Sequence, residues 1–309
     1  MPSSKDRLLW SQVPEPIQAE VEAVMGAPVA AALNCPGGFS PGLASRLIDA
    51  RGGRRFVKAI DAGAWPDEAE TYRREALIAA ALPTGVPAPR LVRTLDDGRW
   101  VVLVFEDVDG VEPARPWNRA DLDRVVAGAG TLAKTLTRSP IALDADHPRL
   151  GGWAELAADE QCFAQLPAAS EWAARHLARL IELEAEGLAA ARGTSLVHCD
   201  LYPFNTLLTT DRVVFLDWPH ARLGASVIDL ITLLSSAAAD GIDPEPYLGA
   251  AASEVQPATI DAILAAHAGF LLAGGLSPAP PGLEAIPAAK RQLGLGAVRW
   301  LEHRVGGSR

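Results

Sequence analysis

The 309-residue chain has few cysteines, no block of basic residues and no secretory leader, and each shortage removes a class of protein. Cys35, Cys162 and Cys199 are too few and too scattered for a disulfide framework or a zinc cluster, which leaves a reducing, cytoplasmic setting as the default. Net charge is −10, and lysine and arginine form no cluster, which argues against nucleic acid and anionic membrane surfaces as partners. No apolar run is read as reaching the ~18–20 residues that span a bilayer. The opening MPSSKDRLLWSQVPEPIQ lacks the apolar core of a signal peptide. Internal repeats and low-complexity tracts are also missing. The acidity itself is dispersed. Residues 251–309 hold four acids (Glu254, Asp261, Glu284, Glu302) against five bases, so the charge reads as solubility rather than as a pocket for a cation. What the chain does have is 49% hydrophobic residues, enough for one large domain or two lobes.

The periodicity changes along the chain. VAAALN is a weak first strand, LASRLIDA alternates, RGG at 51–53 signals a hairpin turn, and RRFVKAI is the next strand. DEAETYRREALIAAAL carries acids in its first turn and reads as a helix ending near Leu82. RLVRTL and WVVLVFEDV form a second hairpin with Asp97-Gly98 at its tip, giving about five antiparallel strands and one helix by residue 107. From Ala120, Leu122, Val125, Val126, Ala129, Leu132, Ala133 and Leu136 mark a buried helix face. Helical pattern returns over roughly 167–191, over 226–239 and from about Pro257. A short strand pair, TLLTT and VVFLD, lies between, and LSPAPPG reads as a loop. The expected organisation is α+β and bilobal: a small antiparallel-β lobe with one helix over 1–107, a hinge near 105–110, and a larger, mostly helical lobe over 108–309.

Chemistry concentrates in LVHCDLYPFNTLL, where polar groups interrupt an apolar run. Asp200, Asn205 and Asp217 supply two carboxylates and an amide on either side of a tight turn. Asn205 and Asp217 are hard oxygen donors of the kind Mg²⁺ takes alongside phosphate and water. Asp200 is then left to accept a proton from an attacking hydroxyl. The spacing His-x-Asp-x₄-Asn followed by Asp217, which ends the strand VVFLD, matches the core of kinase-type phosphoryl transfer. Such sites also need a strand lysine on the nucleotide phosphates and a helix glutamate to hold it. Lys58 sits in the apolar strand RFVKAI, where an unpaired ammonium is costly, and Glu75 follows in the next helix. Taken singly, a lysine snorkelling at a strand edge and a solvated glutamate explain these residues equally well.

GGFSPGLAS, between the first two strands, places Ser40 and its neighbours where backbone amides reach phosphates, although it is neither G-x-G-x-x-G nor a Walker loop. It also matches the nucleophile-elbow pattern G-x-S-x-G through Gly38, Ser40 and Gly42. Pro41, with no N–H, cannot complete the oxyanion hole of such a hydrolase, and only 39 residues precede the serine. His198 reads as structural, since Asp200 is better placed as the base. Asp229 has two readings, a local capping box with Ser226 or a brace beneath the catalytic turn. Cys162 and Cys199 read as small buried hydrophobes.

On RFVKA, RREALIAAALPTGVPAPRLV, LVFEDVDG, LVHCDLYPFNTLL, VVFLDW and GASVIDL, in that order, the chain resembles the aminoglycoside phosphotransferase and choline kinase-like superfamily. The resemblance implies a protein-kinase-like fold and transfer of the γ-phosphate of ATP or GTP, with Mg²⁺, to a hydroxyl of a small molecule. The acceptor would be an antibiotic of aminoglycoside, macrolide or nucleoside type, or a similar metabolite. It implies that Asp200 is the base, that Asn205 and Asp217 hold Mg²⁺, and that Lys58, paired with Glu75, binds the α/β-phosphates. Phe105, Glu106 and Val108 would line the purine, and Asp229 would support the catalytic loop. Cys199 stands where the family has a glycine. Asp144, Asp146, Glu155, Asp159 and Glu160 are the acids available to a cationic acceptor. Two alternatives stay open: a kinase-like protein that binds nucleotide without transfer, and a metabolite kinase of choline, homoserine or sugar type.

Overall fold

The computed structural model describes residues 7–35, 40–143, 147–279 and 285–306, so Gly38, Asp144, Asp146 and Glu284 lie outside the described residues. By internal contacts the chain divides into two compact units, Met1–Val111 with Thr209–His220, and Glu112–Leu208 with Ala221–Arg309.

The first unit is built on an antiparallel sheet of β1 (Val29–Asn34), β2 (Leu43–Asp49), β3 (Arg54–Asp61), β4 (Leu91–Asp96) and β5 (Trp100–Glu106), in the order β1-β2-β3-β5-β4. Alternation along β3 and β5 gives each face its own core. Val57, Ala59, Val102 and Val104 pack with Val13, Ile17 and Val21 on one side. Ile60, Val101, Leu103 and Phe105 pack with Ala69, Tyr72, Ala76 and Ala79 on the other. Those last residues belong to α2 (Pro66–Ala81), which carries acids in its first turn where the helix dipole favours them. Ile17 and Val21 belong to α1 (Glu15–Met25), so the described residues of the unit hold two α-helices and the expected single helix needs correcting. Its signals are short but present: prolines at the first turn, apolar residues four apart, and Gly26 closing the end at φ +88°.

The second unit is mostly helical: α3 (Arg119–Thr135), α4 (Trp153–Ala158), α5 (Glu160–Ala169), α6 (Glu171–Arg175), α7 (Leu177–Ala190), α8 (Ile228–Ala239), α9 (Glu245–Ala251), α10 (Pro257–Leu276) and α11 (Ala285–Gly306). The helical stretch expected over 167–191 is divided, because Ser170 caps a new helix by accepting the Ala173 N–H. A short strand, β6 (Ser195–Val197), pairs with β9 (Arg222–Gly224) and precedes the segment from His198 to Asn205, and β7 (Thr206–Leu208) follows it. β8 (Val213–Phe215) belongs to the first unit.

The core centres on α10, which packs against α4, α7, α8 and α11. Gly187 of α7 permits its contact, since a Cβ there would collide with the Ala262 carbonyl oxygen. α10 also corrects the statement about apolar runs. Its 20 residues are long and apolar enough by length and composition to cross a bilayer, despite Asp261 and His267. Two thirds of that stretch is buried within the unit.

Candidate active site

In the first unit three residues far apart in sequence meet at one nitrogen. Lys58, on the α2 face of β3 opposite Leu103, donates from Nζ to both Glu75 oxygens and to Asp217 Oδ1, each at 2.7 Å. Burial opposes the lysine's charge, but Asp217 and Glu75 outweigh it, so its pKa rises and the ammonium persists. The Trp218 backbone adds a hydrogen bond to Glu75, and Arg74 donates to the Pro219 carbonyl at 3.0 Å. α2 thereby grips the segment that carries Asp217 from two points. Asp217 lies two residues beyond the end of β8 at φ +67°, where the sequence reading had it ending a strand. A left-handed φ cannot continue a β-strand.

Ser40 accepts the Gly42 N–H on Oγ at 3.2 Å and lies 3.0 Å from the Tyr72 hydroxyl. Arg7 reaches the same loop through the carbonyls of Cys35 and Ser40. At the far end of β5, Phe105 is buried and Glu106 donates its N–H to the Arg90 carbonyl. The Val108 carbonyl accepts from Arg46, and Asp107 pairs with Arg46 and Arg54 at 3.1 and 2.7 Å. The strand end is therefore fixed by charge.

In the second unit the motif between β6 and β7 is fixed through its backbone. The buried Asp229 carboxylate accepts the N–H groups of His198 and Cys199, at 2.8 and 2.9 Å. The residue that caps α8 is Val227 rather than Ser226, and it makes no side-chain cap, so the brace geometry describes Asp229 where a capping box does not. Burial raises the Asp229 pKa to about 6, against the lowering effect of those two N–H donors. His198 is fully buried, and its Nδ1 accepts the Asp200 N–H at 3.3 Å. Cys199 adopts φ +66°, an uncommon conformation for a residue with a side chain. It is half-buried, and burial pushes its thiol well above the ordinary range. Asn205 donates from Nδ2 to the Asp200 carbonyl at 2.9 Å and to its carboxylate at 2.7 Å, which fixes one carboxylate oxygen and leaves the amide Oδ1 as the hard donor of that side chain.

Sequence reasoning missed Tyr72, Arg74 and Arg7. Tyr72 carried a signal, as a polar-tipped aromatic on the same helical face as Glu75, whereas the partners of Arg7 and Arg74 lie 28 or more residues away. Among the described residues no group of three or more His, Cys, Asp or Glu side chains gathers as a stand-alone metal site.

A buried strand lysine held by a helix carboxylate and an Asp–Asn loop braced from below define the kinase-like class of phosphotransferase. The phosphotransferase enzyme family model (APH) matches residues 35–263, well over half of the chain, and the chain belongs to that family. Three solved structures set the fold in context. A thermostable mutant of aminoglycoside phosphotransferase APH(4)-Ia, with ADP and hygromycin B, is 12% identical over 92% of this chain and 98% of that one, at a TM-score of 0.56. Amicoumacin kinase hAmiN, with AMP-PNP, Ca²⁺ and Ami, is 13% identical over 96% and 95%, at 0.52. Choline kinase from Cryptosporidium parvum Iowa II is 10% identical over 98% and 92%, at 0.51. At these identities the likeness is one of fold. No curated protein matches the chain in sequence.

Proposed function

We propose that the protein transfers the γ-phosphate of ATP or GTP to a hydroxyl of a small molecule, the first unit holding the nucleotide and Asp200 serving as base. The single observation carrying this reading is the Lys58 ammonium shared by Glu75 and Asp217. An ammonium has three N–H donors, and all three are spent on carboxylates. To contact a phosphate, Lys58 must exchange one of them. Asp217, whose side chain is 46% exposed against 5% for Glu75, is the exchangeable partner. Glu75 then keeps the lysine in place.

Asp217 and the Asn205 Oδ1 are the hard oxygen donors that suit Mg²⁺ held largely by nucleotide phosphates. When bound, Mg²⁺ supplies charge neutralisation on those phosphates. Asn205 orients the Asp200 carboxylate, which takes the acceptor's proton as the acceptor oxygen bonds to the γ-phosphorus. The bond from that phosphorus to the bridging oxygen breaks, and the nucleoside diphosphate leaves. Positioning and electrostatic stabilisation supply most of the rate. Phe105, Glu106 and Val108 line the purine, and Asp229, with His198 above it, maintains the loop.

A coupled nucleotide-consumption assay with Mg²⁺, run with ATP and with GTP against hydroxylated acceptors, tests the reading. Acceptor-dependent turnover supports it. Nucleotide binding with no turnover on any acceptor favours a binding protein instead.

A further inference from the structure

In the first unit the turn that leads into β2 is held from three sides. Arg7 donates from Nε to the Ser40 carbonyl at 3.2 Å, and the Leu8 N–H donates to the Pro41 carbonyl at 3.1 Å. The third hold is on a side chain, the Ser40 Oγ, which lies 3.0 Å from the Tyr72 hydroxyl and accepts the Gly42 N–H at 3.2 Å. Tyr72 stands on α2 one turn before Glu75, so the helix that grips Lys58 also reaches this turn. Gly42 makes the approach possible, because a Cβ there would collide with both the Tyr72 hydroxyl and the Ala59 carbonyl oxygen. The turn also opens onto the lysine's end of the sheet: Leu43 pairs with Ala59, and Ala44 with Lys58.

The two hydroxyls share one hydrogen bond and carry two protons, and burial decides which of them donates. If Ser40 donated, the Tyr72 proton would have no acceptor among the described residues, in a residue only 5% exposed. An orphaned buried donor is costly. Burial also raises the Tyr72 pKa, so the hydroxyl keeps its proton. Tyr72 is therefore the donor. The Ser40 oxygen then accepts twice, from Tyr72 and from the Gly42 N–H, which fills both lone pairs and leaves its own proton to donate elsewhere. Ser40 is half-buried rather than enclosed, so that proton can meet a ligand. A phosphate oxygen is an acceptor only, and a hydroxyl that donates to it makes a charge-assisted bond. Arg7 and Leu8 already fix the backbone of the turn, which leaves the Tyr72 contact to set the direction of the Ser40 O–H.

We propose that Tyr72 is a positioning residue for the nucleotide: it donates to Ser40, so that the serine hydroxyl turns its own proton towards a nucleotide phosphate. This role rests on the phosphotransfer reading above. It gives α2 two tasks, holding Lys58 through Glu75 and aiming Ser40 through Tyr72.

The test is a double-substitution cycle on the full chain, read by calorimetric titration with Mg²⁺–AMP-PNP and Mg²⁺–GMP-PNP, with thermal unfolding recorded for each variant. Ser40→Ala is expected to weaken the better-bound analogue about tenfold and Tyr72→Phe about fivefold. The two together should lose only about tenfold, because Tyr72 acts through Ser40, whereas independent effects would multiply to about fiftyfold. Ser40→Thr, which keeps a hydroxyl, should stay within about threefold of the parent. A Tyr72→Phe protein of unchanged affinity, even one less stable to heat, overturns the role and leaves Tyr72 a packing residue. A double variant that loses about fiftyfold overturns it as well. Ser40→Ala leaves α2 untouched and serves as the second variant if Tyr72→Phe fails to fold; unchanged affinity there overturns the role from the other end. If the parent binds neither analogue, the phosphotransfer reading falls and the role with it. If the parent binds and the cycle fails, the role alone falls.

Discussion

The two units fix their functional groups by opposite means. In the first, Lys58 is held by formal charges on regular elements, a strand and a helix that face each other across a packed core. In the second, Asp200 sits on an irregular turn whose amides hang from one buried carboxylate, Asp229. Charge tolerates exchange of partners, which suits the nucleotide-binding role proposed for Lys58. Backbone hydrogen bonds hold geometry, which suits the proposed base. The lesson is that ion pairs appear where a partner must be replaced, and amide-to-carboxylate braces where nothing should move.

Substitutions can break that contrast. The largest effect is expected from Asp200→Ala, which should lower turnover ~10³-fold or more while leaving nucleotide affinity and thermal stability nearly unchanged. Steady-state kinetics beside nucleotide titration separates these outcomes, and a variant that keeps most of its turnover removes Asp200 from the chemistry.

Lys58→Met should act on both activity and stability. Leaving Glu75 buried without its cation is expected to cost about 3–5 kcal/mol in denaturant unfolding, along with most nucleotide affinity. A stable Lys58→Met protein would mean that the pair is not a buried charge cluster. Asp217→Ala, which removes the more exposed partner, should instead weaken Mg²⁺–nucleotide binding with little loss of stability. Unchanged Mg²⁺ dependence would contradict its role as a ligand.

Asp229 sharpens the comparison through pH. Its folded pKa of about 6 lies above the ordinary carboxyl value of 3.8, so the folded state holds that proton more tightly than the unfolded one. Its contribution to stability is therefore fully present below pH ~4 and is lost as pH rises to about 6, by on the order of 3 kcal/mol. Asp229→Asn should abolish this component, so the variant loses less stability than the parent between pH 4.5 and 7. Parallel unfolding curves at the two pH values would contradict the assignment. The smallest effect is expected at Cys199. Glycine there relieves a left-handed conformation worth ~1–3 kcal/mol but adds unfolded-state freedom, so Cys199→Gly should keep turnover within about twofold and stability within about 1 kcal/mol.

The sequence made the sheet legible because period-2 alternation and turn residues coincide: Arg51-Gly52-Gly53 and Asp97-Gly98 fall between strands. The motif HxDx₄N was legible because its polar residues interrupt an apolar run. What stayed hidden depended on distant partners. α1 is short and its face is only two buried residues wide. Glu184 of α7, which no local pattern singles out, is buried and accepts the N–H groups of Gly152 and Trp153 at the start of α4. The pairing of Asp217 with Lys58 spans 159 residues, beyond any local pattern.

The most direct test of phosphoryl transfer is mass spectrometry of the acceptor after incubation with Mg²⁺–ATP or Mg²⁺–GTP. The product of the parent protein should be an acceptor heavier by one phosphoryl group, with Asp200→Asn leaving it unmodified under the same conditions. Nucleotide converted to diphosphate with every acceptor unmodified, or equal modification by Asp200→Asn, would contradict the account.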